Sequence, residues 1–158
     1  MAKKVLFVCL GNICRSPSAE AVFRGLVRRE GLGGEFEIDS AGILGWHAGE
    51  PADHRMQLHA IKRGYKLTSL SRQFNPDADF DYFDYIIGMD DSNISNLRSM
   101  ARAKGDLSKI YKMTDFSREF TFDEVPDPYY GGDTGFELVL DLLEDACEGL
   151  LETIRADL

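Results

Sequence analysis

A cysteine and an arginine separated by five residues form the most chemically suggestive pair in the sequence. The segment Cys9-Leu10-Gly11-Asn12-Ile13-Cys14-Arg15-Ser16 follows an apolar run and precedes a helical pattern. A loop of this length can curl so that successive backbone N–H groups, together with the positive end of the helix, bind a tetrahedral oxyanion. The planar guanidinium of Arg15 matches two phosphate oxygens. The spacing therefore predicts a phosphate-binding loop formed by Leu10, Gly11, Asn12, Ile13, Cys14 and Arg15. Gly11 is expected to supply a backbone conformation that residues with a side chain avoid.

Cys9 is the predicted nucleophile, because it would lie at the bottom of this loop. Positive backbone dipoles around a thiol favour the thiolate, which is the reactive form. The thiolate would attack phosphorus in line with the ester oxygen and give a cysteinyl-phosphate, which water then hydrolyses. Ser16 can donate a hydrogen bond to the sulfur. The predicted acid is Asp127 in Asp127-Pro128-Tyr129-Tyr130, which would protonate the leaving group and later take a proton from water.

The elements that must position these residues indicate an α/β fold. Val5-Leu6-Phe7-Val8 is a continuous apolar run, typical of a strand buried on both faces of a parallel sheet. The helix that follows has Ser16 as its predicted cap. Further strands are predicted at residues 36–41, 83–89 and 109–113. We therefore expect three layers, with a short parallel four-stranded sheet between helices and the phosphate-binding loop between the first strand and the first helix.

The remaining pattern consists of helices and one long loop. A second helix is predicted at residues 51–63, and Asp90 or Asp91 is expected to cap a helix after the third strand. Between residues 114 and 133 the periodicity disappears, which indicates a long exposed loop with a functional role. The last helix is expected to begin with a capping box, Thr134-Gly135-Phe136-Glu137.

The bulk composition indicates a single folded domain, residues 1–158. The chain is 44% hydrophobic and 28% charged, which suits a compact core. Its net charge of −9 argues against nucleic acid or a membrane surface as the main partner. The apolar run at the N-terminus is too short for a secretory signal, which predicts a cytoplasmic protein.

The cysteines and histidines do not indicate a disulfide framework or a metal site. Three cysteines stand at irregular spacing, which suits a reducing compartment. The histidines share no metal-site spacing with them and are expected to be solvated or packed; they are His47, His54 and His59. No metal or other cofactor is therefore predicted.

Three motifs in this order resemble the low-molecular-weight protein tyrosine phosphatases. They are the string at residues 8–17, Met89-Asp90-Asp91-Ser92-Asn93, and Asp127-Pro128-Tyr129-Tyr130, and the resemblance spans nearly the whole chain. It implies a metal-free enzyme that hydrolyses phosphotyrosine in proteins. The catalytic residues that it implies are Cys9, Arg15, Ser16 and Asp127.

The resemblance also implies supporting roles. Asn12 and Ser40 would brace the loop, although Ser69 stands where a histidine commonly supports the asparagine. The residues that would line the cleft and select an aryl phosphate over phosphoserine are Leu10, Ile13, Trp46 and Tyr129. Cys14 is a candidate partner for Cys9 in a reversible disulfide that protects the nucleophile, and Tyr129 or Tyr130 is a candidate phosphorylation site. The physiological substrate and the choice between monomer and weak dimer stay open.

Three other functions compete with this interpretation. A phosphoarginine phosphatase would look similar but tends to carry threonine where Ile13 stands. A thiol-dependent arsenate reductase shares the cysteine loop, but this chain has no cysteine between Cys14 and Cys147 to relay oxidation. A binding module that holds phosphorylated partners without cleaving them would lack the nucleophile, the arginine or the acid, and all three are present.

Overall fold

The centre of the fold is a sheet of four parallel strands. In the computed structural model, which describes residues 2–129 and 132–158, the strands lie in the order β2-β1-β3-β4. They are β1 Lys3–Cys9, β2 Phe36–Gly42, β3 Tyr85–Gly88 and β4 Ile110–Lys112. In the register of β1, Cys9 pairs with Gly42 of β2 and Val8 pairs with Gly88 of β3. The predicted four-stranded parallel sheet is confirmed.

Helices cover both faces of the sheet. They are α1 Arg15–Arg29, α2 His54–Lys62, α3 Pro76–Tyr82, α4 Asp91–Met100, α5 Lys104–Leu107 and α6 Asp133–Arg155, with 3₁₀ turns at Gly33–Glu35 and Met113–Phe116. Successive side chains of a strand point to opposite faces. Val5 and Phe7 accordingly pack with α1, α2 and α6, whereas Leu6 and Val8 pack with α3 and α4. The expected three-layer arrangement is therefore confirmed.

Two predicted helix starts are wrong. The N-cap position of α1 is Cys14 and not Ser16, whose hydroxyl is used inside the loop. Helix α2 begins at His54 and not at residue 51, since the Asp53 carboxylate accepts the backbone N–H groups of Arg55 and Met56.

The predicted capping box of α6 does not form. Helix α6 begins at Asp133, and no side chain caps its first turn among the described residues. The Glu137 carboxylate instead accepts hydrogen bonds from His59 Nδ1 in α2, at 2.5 Å, and from Arg63 Nη2 just after α2, at 2.7 Å. These bonds tie the N-terminal part of α6 to the C-terminal part of α2. Before α6, residues 117–129 contain no helix or strand, as the lost periodicity predicts.

Candidate active site

The phosphate-binding loop connects the end of β1 to the start of α1. Cys9 is the last residue of β1, and the N-terminus of α1 faces the loop from Arg15 onward. The left-handed backbone conformation in this loop belongs to Asn12, with φ of 59°, and not to Gly11 as expected. Gly11 leaves room for the His47 ring, since a Cβ there would lie 3.1 Å from that ring and His47 would have to shift slightly.

Hydrogen bonds hold Asn12 in this uncommon conformation. Its Nδ2 donates to Ser16 Oγ (2.8 Å), and its Oδ1 accepts the backbone N–H of Arg72 (3.0 Å). Ser71 Oγ also donates to the Gly11 carbonyl (3.0 Å). Both side-chain ends of Asn12 are thus occupied, which offsets the cost of a left-handed residue with a side chain. The brace that was in doubt at Ser69 comes from Ser71 and Arg72, two and three residues further along the chain.

Ser40 does not brace the loop as predicted. In the described part of the chain, its hydroxyl donates to Glu20 Oε1 on α1 at 2.6 Å. The other Glu20 oxygen lies 3.0 Å from Arg24 Nη1. Because Glu20 and Ser40 are both buried, this pair joins β2 to the first half of α1.

The sulfur of Cys9 lies beneath the loop and next to a hydroxyl group. Cys9 is 3% exposed, and its Sγ is 3.0 Å from Ser16 Oγ. This oxygen accepts from the Asn12 amide, and its own proton has two acceptors within reach, the Cys9 sulfur at 3.0 Å and the Ala41 carbonyl at 3.5 Å. A thiolate at Cys9 can only accept, so Ser16 is then the donor.

Arg15 is buried and held by partners on two other elements. Its Nη1 donates to Asp90 Oδ2 (2.6 Å) and to the Val125 carbonyl (3.1 Å). Burial alone would lower the pKa of Arg15, but negative charge on Cys9, Asp90 and Asp127 outweighs burial and raises it. The guanidinium therefore stays charged and is aimed by fixed acceptors.

Asp90 both caps α4 and pairs with Arg15. Its Oδ1 accepts the backbone N–H of Asn93 and caps α4, while its Oδ2 pairs with Arg15. Asp90 can reach Arg15 because it follows β3, the neighbour of β1 in the sheet. The contact with Arg15 was missed because a residue after a strand reads as a helix cap, and the strand order was not known.

Asp127 lies over the loop from the opposite side. Its Oδ2 is 3.6 Å from Arg15 Nη2, and its Oδ1 accepts the backbone N–H of Tyr129 (3.0 Å). The side chain of Asp127 is 37% exposed, so water can reach it. An anion bound by Arg15 would therefore lie close to this carboxyl.

The structure brings the predicted cleft residues together and adds two. Leu10, Ile13, Trp46 and Tyr129 line one cleft with Cys9, Arg15 and Asp127. Leu44 and His47 also line it, although His47 was expected to be only solvated or packed. His47 Nδ1 lies 3.1 Å from Glu50 Oε2, and its ring faces that of Tyr129. The sequence signal that could have placed His47 in the cleft is its position directly after Trp46, which was predicted to line it.

Cys14 is a buried free thiol, as are Cys9 and Cys147. Burial, followed by negative charge at Asp53 and Cys9, raises the pKa of Cys14 well above its usual value, so this thiol stays protonated at neutral pH. Tyr130, the second candidate for phosphorylation, lies outside the described residues.

Residues 2–129 and 132–158 contain no group of three or more His, Cys, Asp or Glu side chains suited to hold a metal ion. None of their helices combines the length and apolar character that crossing a membrane requires.

Comparisons with known proteins agree with this geometry. The family model described as "Low molecular weight phosphotyrosine protein phosphatase" matches residues 4–158. The low molecular weight protein-tyrosine-phosphatase YfkJ of Bacillus subtilis is 46% identical over 153 residues, which cover 97% of this chain and 96% of that protein.

Solved structures give the same result. A protein tyrosine phosphatase from Entamoeba histolytica, crystallised with Hepes in its active site, matches with a TM-score of 0.96, 45% identity and 99% coverage of both chains. A Drosophila arginine phosphatase matches with a TM-score of 0.89 and 34% identity, covering 96% of this chain and 98% of that one.

Proposed function

Because the chain belongs to the low molecular weight phosphotyrosine protein phosphatase family, we propose that it hydrolyses phosphotyrosine in proteins through a cysteinyl-phosphate on Cys9. The observation that carries this proposal is the convergence of three groups on one loop. Cys9 lies beneath the loop, Arg15 at its side, and Asp127 above it, 3.6 Å from Arg15. These are a nucleophile, an anion binder and a proton donor.

In the first step, the substrate phosphate binds the loop N–H groups, the positive end of α1 and Arg15. The thiolate of Cys9 attacks phosphorus, so that an S–P bond forms while the bond from phosphorus to the phenolic oxygen breaks. The proton of Asp127 passes to that oxygen, and tyrosine leaves as a neutral phenol.

In the second step, water hydrolyses the intermediate. Asp127, now a carboxylate, takes a proton from water as its oxygen bonds to phosphorus and the S–P bond breaks. The Ser16 hydroxyl, 3.0 Å from the sulfur, stabilises the departing thiolate by donating a hydrogen bond. Inorganic phosphate and a free thiolate are the products.

The walls of the cleft favour a phenyl ring. Ile13 and Tyr129 supply apolar surface on the walls, and Trp46, which is 79% exposed, stands at the rim. A phosphate held at Cys9 would place an aromatic ring between these walls, whereas the short side chain of phosphoserine would leave them uncovered. An arginine phosphatase shares the fold, so the preference rests on these side chains and not on the architecture.

Hydrolysis of matched peptides containing phosphotyrosine, phosphoarginine or phosphoserine tests the proposal. We expect the highest kcat/KM for phosphotyrosine, no turnover by Cys9→Ser, and a loss of about 10²- to 10⁴-fold in Asp127→Ala, the usual contribution of a general acid. Preference for phosphoarginine would assign the chain to the alternative activity. Turnover by Cys9→Ser would contradict the mechanism itself.

We also propose where the enzyme acts, what it binds and how it is protected from oxidation. Residues 1–158 would act as one phosphatase domain in the cytoplasm, with phosphotyrosine proteins as substrates and no cofactor. Phosphate and similar oxyanions would occupy the loop as inhibitors. A disulfide between Cys9 and Cys14 would be a reversible protection of the nucleophile, detectable as a mass loss of two hydrogens after mild peroxide treatment.

A further inference from the structure

Two residues at the start of α2 connect the phosphate-binding loop to the loop that carries Asp127. The first is Asp53, whose backbone N–H donates to the carbonyl of Ile13 at 2.8 Å. Its carboxylate caps α2 and also accepts the guanidinium of Arg55, with its two oxygens 3.3 Å from Nε and 3.2 Å from Nη2. Arg55 is therefore fixed relative to the phosphate-binding loop.

Arg55 reaches the opposite loop with the same guanidinium. Its Nη2 donates to the carbonyl of Tyr129 at 2.8 Å. The group also lies over two aromatic rings, 5.5 Å from the centroid of Tyr129 and 5.0 Å from that of Phe136 in α6. Hydrogen bond and cation–π contacts thus hold the loop just before α6.

Tyr129 passes this contact on to the general acid. Its carbonyl accepts Arg55, and its backbone N–H donates to Asp127 Oδ1 at 3.0 Å. A shift of Tyr129 would therefore move the carboxylate that must meet the leaving group. Displacement of a catalytic group by about 1 Å costs up to about 10²-fold in rate.

We propose that Arg55 is a positioning residue for Asp127: through the Tyr129 backbone it holds the general acid at a set distance from the phosphate-binding loop. This inference rests on the proposed function, in which Asp127 protonates the leaving group. Arg55 itself does not line the cleft. A planar guanidinium suits the role, because Nε and Nη2 bond the two oxygens of Asp53 while Nη2 also reaches the Tyr129 carbonyl. A single ammonium nitrogen does not reproduce this fork.

The test compares Arg55→Met, which keeps an unbranched apolar stem, with wild type on two aryl phosphates. The value of kcat/KM includes only the steps up to departure of the leaving group, which is where the acid acts first. The p-nitrophenolate ion is a good leaving group and needs little help from an acid, whereas phenolate is a poor one and needs a proton. We expect kcat/KM for phenyl phosphate to fall roughly tenfold, the effect of losing one charge-assisted hydrogen bond. For p-nitrophenyl phosphate it should fall less than about twofold. Inhibition by inorganic phosphate should not change.

Three further variants make the result specific. Arg55→Lys keeps the charge without the fork and should lie between wild type and Arg55→Met; it also carries the test if Arg55→Met does not fold. Arg28→Met, which removes an exposed arginine at the far end of α1, should match wild type on both substrates. In an Asp127→Ala background, Arg55→Met should cause no further selective loss on phenyl phosphate.

Equal losses on both substrates, or weaker phosphate inhibition, would show that Arg55 supports the whole site and not the acid, and would overturn the inference. Wild-type rates in Arg55→Met would overturn it as well. If Asp127→Ala itself hydrolysed phenyl phosphate at the wild-type rate, the proposed function would fail instead, so the two failures are distinguishable.

Discussion

Replacing Asp90 with asparagine removes the charge that faces Arg15 while keeping an oxygen that can cap α4. Asp90 Oδ2 lies 2.6 Å from Arg15 Nη1, and the two side chains are 20% and 3% exposed. Oδ1 accepts the backbone N–H of Asn93 at 2.7 Å. Asp90→Asn therefore separates orientation of the arginine from capping of the helix.

The expected size of the effect follows from this geometry. At 2.6 Å, two unit charges attract by roughly 6 kcal/mol at an effective dielectric constant of about 20. Desolvation cancels much of this attraction, and hydrogen bonds to charged groups contribute about 2 kcal/mol net. We therefore expect kcat/KM for an aryl phosphate to fall roughly 30-fold in Asp90→Asn. Binding of inorganic phosphate should weaken as well.

The assay pairs steady-state kinetics with urea unfolding. Asp91→Asn is the matched control, because Asp91 is the next residue and its side chain is 71% exposed and pairs with Lys112 on the surface. The kinetics of this variant should equal those of wild type. Asp90→Ala should lose the same activity and about 1 kcal/mol of stability from the missing cap. Wild-type kinetics in Asp90→Asn would show that Asp90 is only a helix cap and refute the reasoning.

Two predictions concern stability. Gly149→Ala should lower the free energy of unfolding by about 3 kcal/mol in urea titrations, because a Cβ would lie 1.8 Å from the Phe116 carbonyl oxygen; unchanged stability would mean that the 3₁₀ turn moves freely. Burial and the Glu144 carboxylate raise the pKa of Tyr65 from 10.0 to about 12. The folded state therefore holds this proton more tightly than the unfolded chain, and the resulting stability, complete below pH 10, is lost as pH rises from 10 to about 12. The free energy of unfolding of wild type minus that of Tyr65→Phe should therefore be about 1 kcal/mol smaller at pH 11 than at pH 9. If the free energies of the two proteins changed in parallel with pH, Tyr65 would not be the cause.

The parts of the fold that depend on local pattern could be predicted from the sequence. The apolar run at residues 5–8 predicts a strand buried on both faces, and each of its side chains is fully buried. The loop from Cys9 to Arg15 lies between β1 and α1 because an apolar strand and a helical stripe flank it directly. These signals involve only neighbours in the chain.

The errors arose where another side chain competed for the same group. Ser16 resembles a helix cap, but its partners are Cys9 and Asn12 in the same segment. Glu137 fits a capping box, but its carboxylate binds His59 and Arg63, which are 78 and 74 residues away in the chain. A capping pattern does not show which of the available partners a side chain takes.

Contacts between separate parts of the chain explain the features of the site that were missed. Asp90 meets Arg15 only because β3 lies beside β1. Arg55 meets the acid loop only because α2 and α6 pack together. Asn12 takes the left-handed conformation expected of Gly11, because Ser16 and the Arg72 backbone secure its side chain.

The central claim is that phosphate passes through a covalent bond to Cys9, and trapping this intermediate tests it most directly. Asp127→Ala should be mixed with p-nitrophenyl phosphate, whose leaving group departs without an acid while hydrolysis of the intermediate lacks its base. Rapid acid quenching and tandem mass spectrometry of residues 5–15 should then find one phosphoryl group on Cys9 and none on Cys14. Turnover without any phosphorylated enzyme, or with phosphate on another residue, would contradict the account.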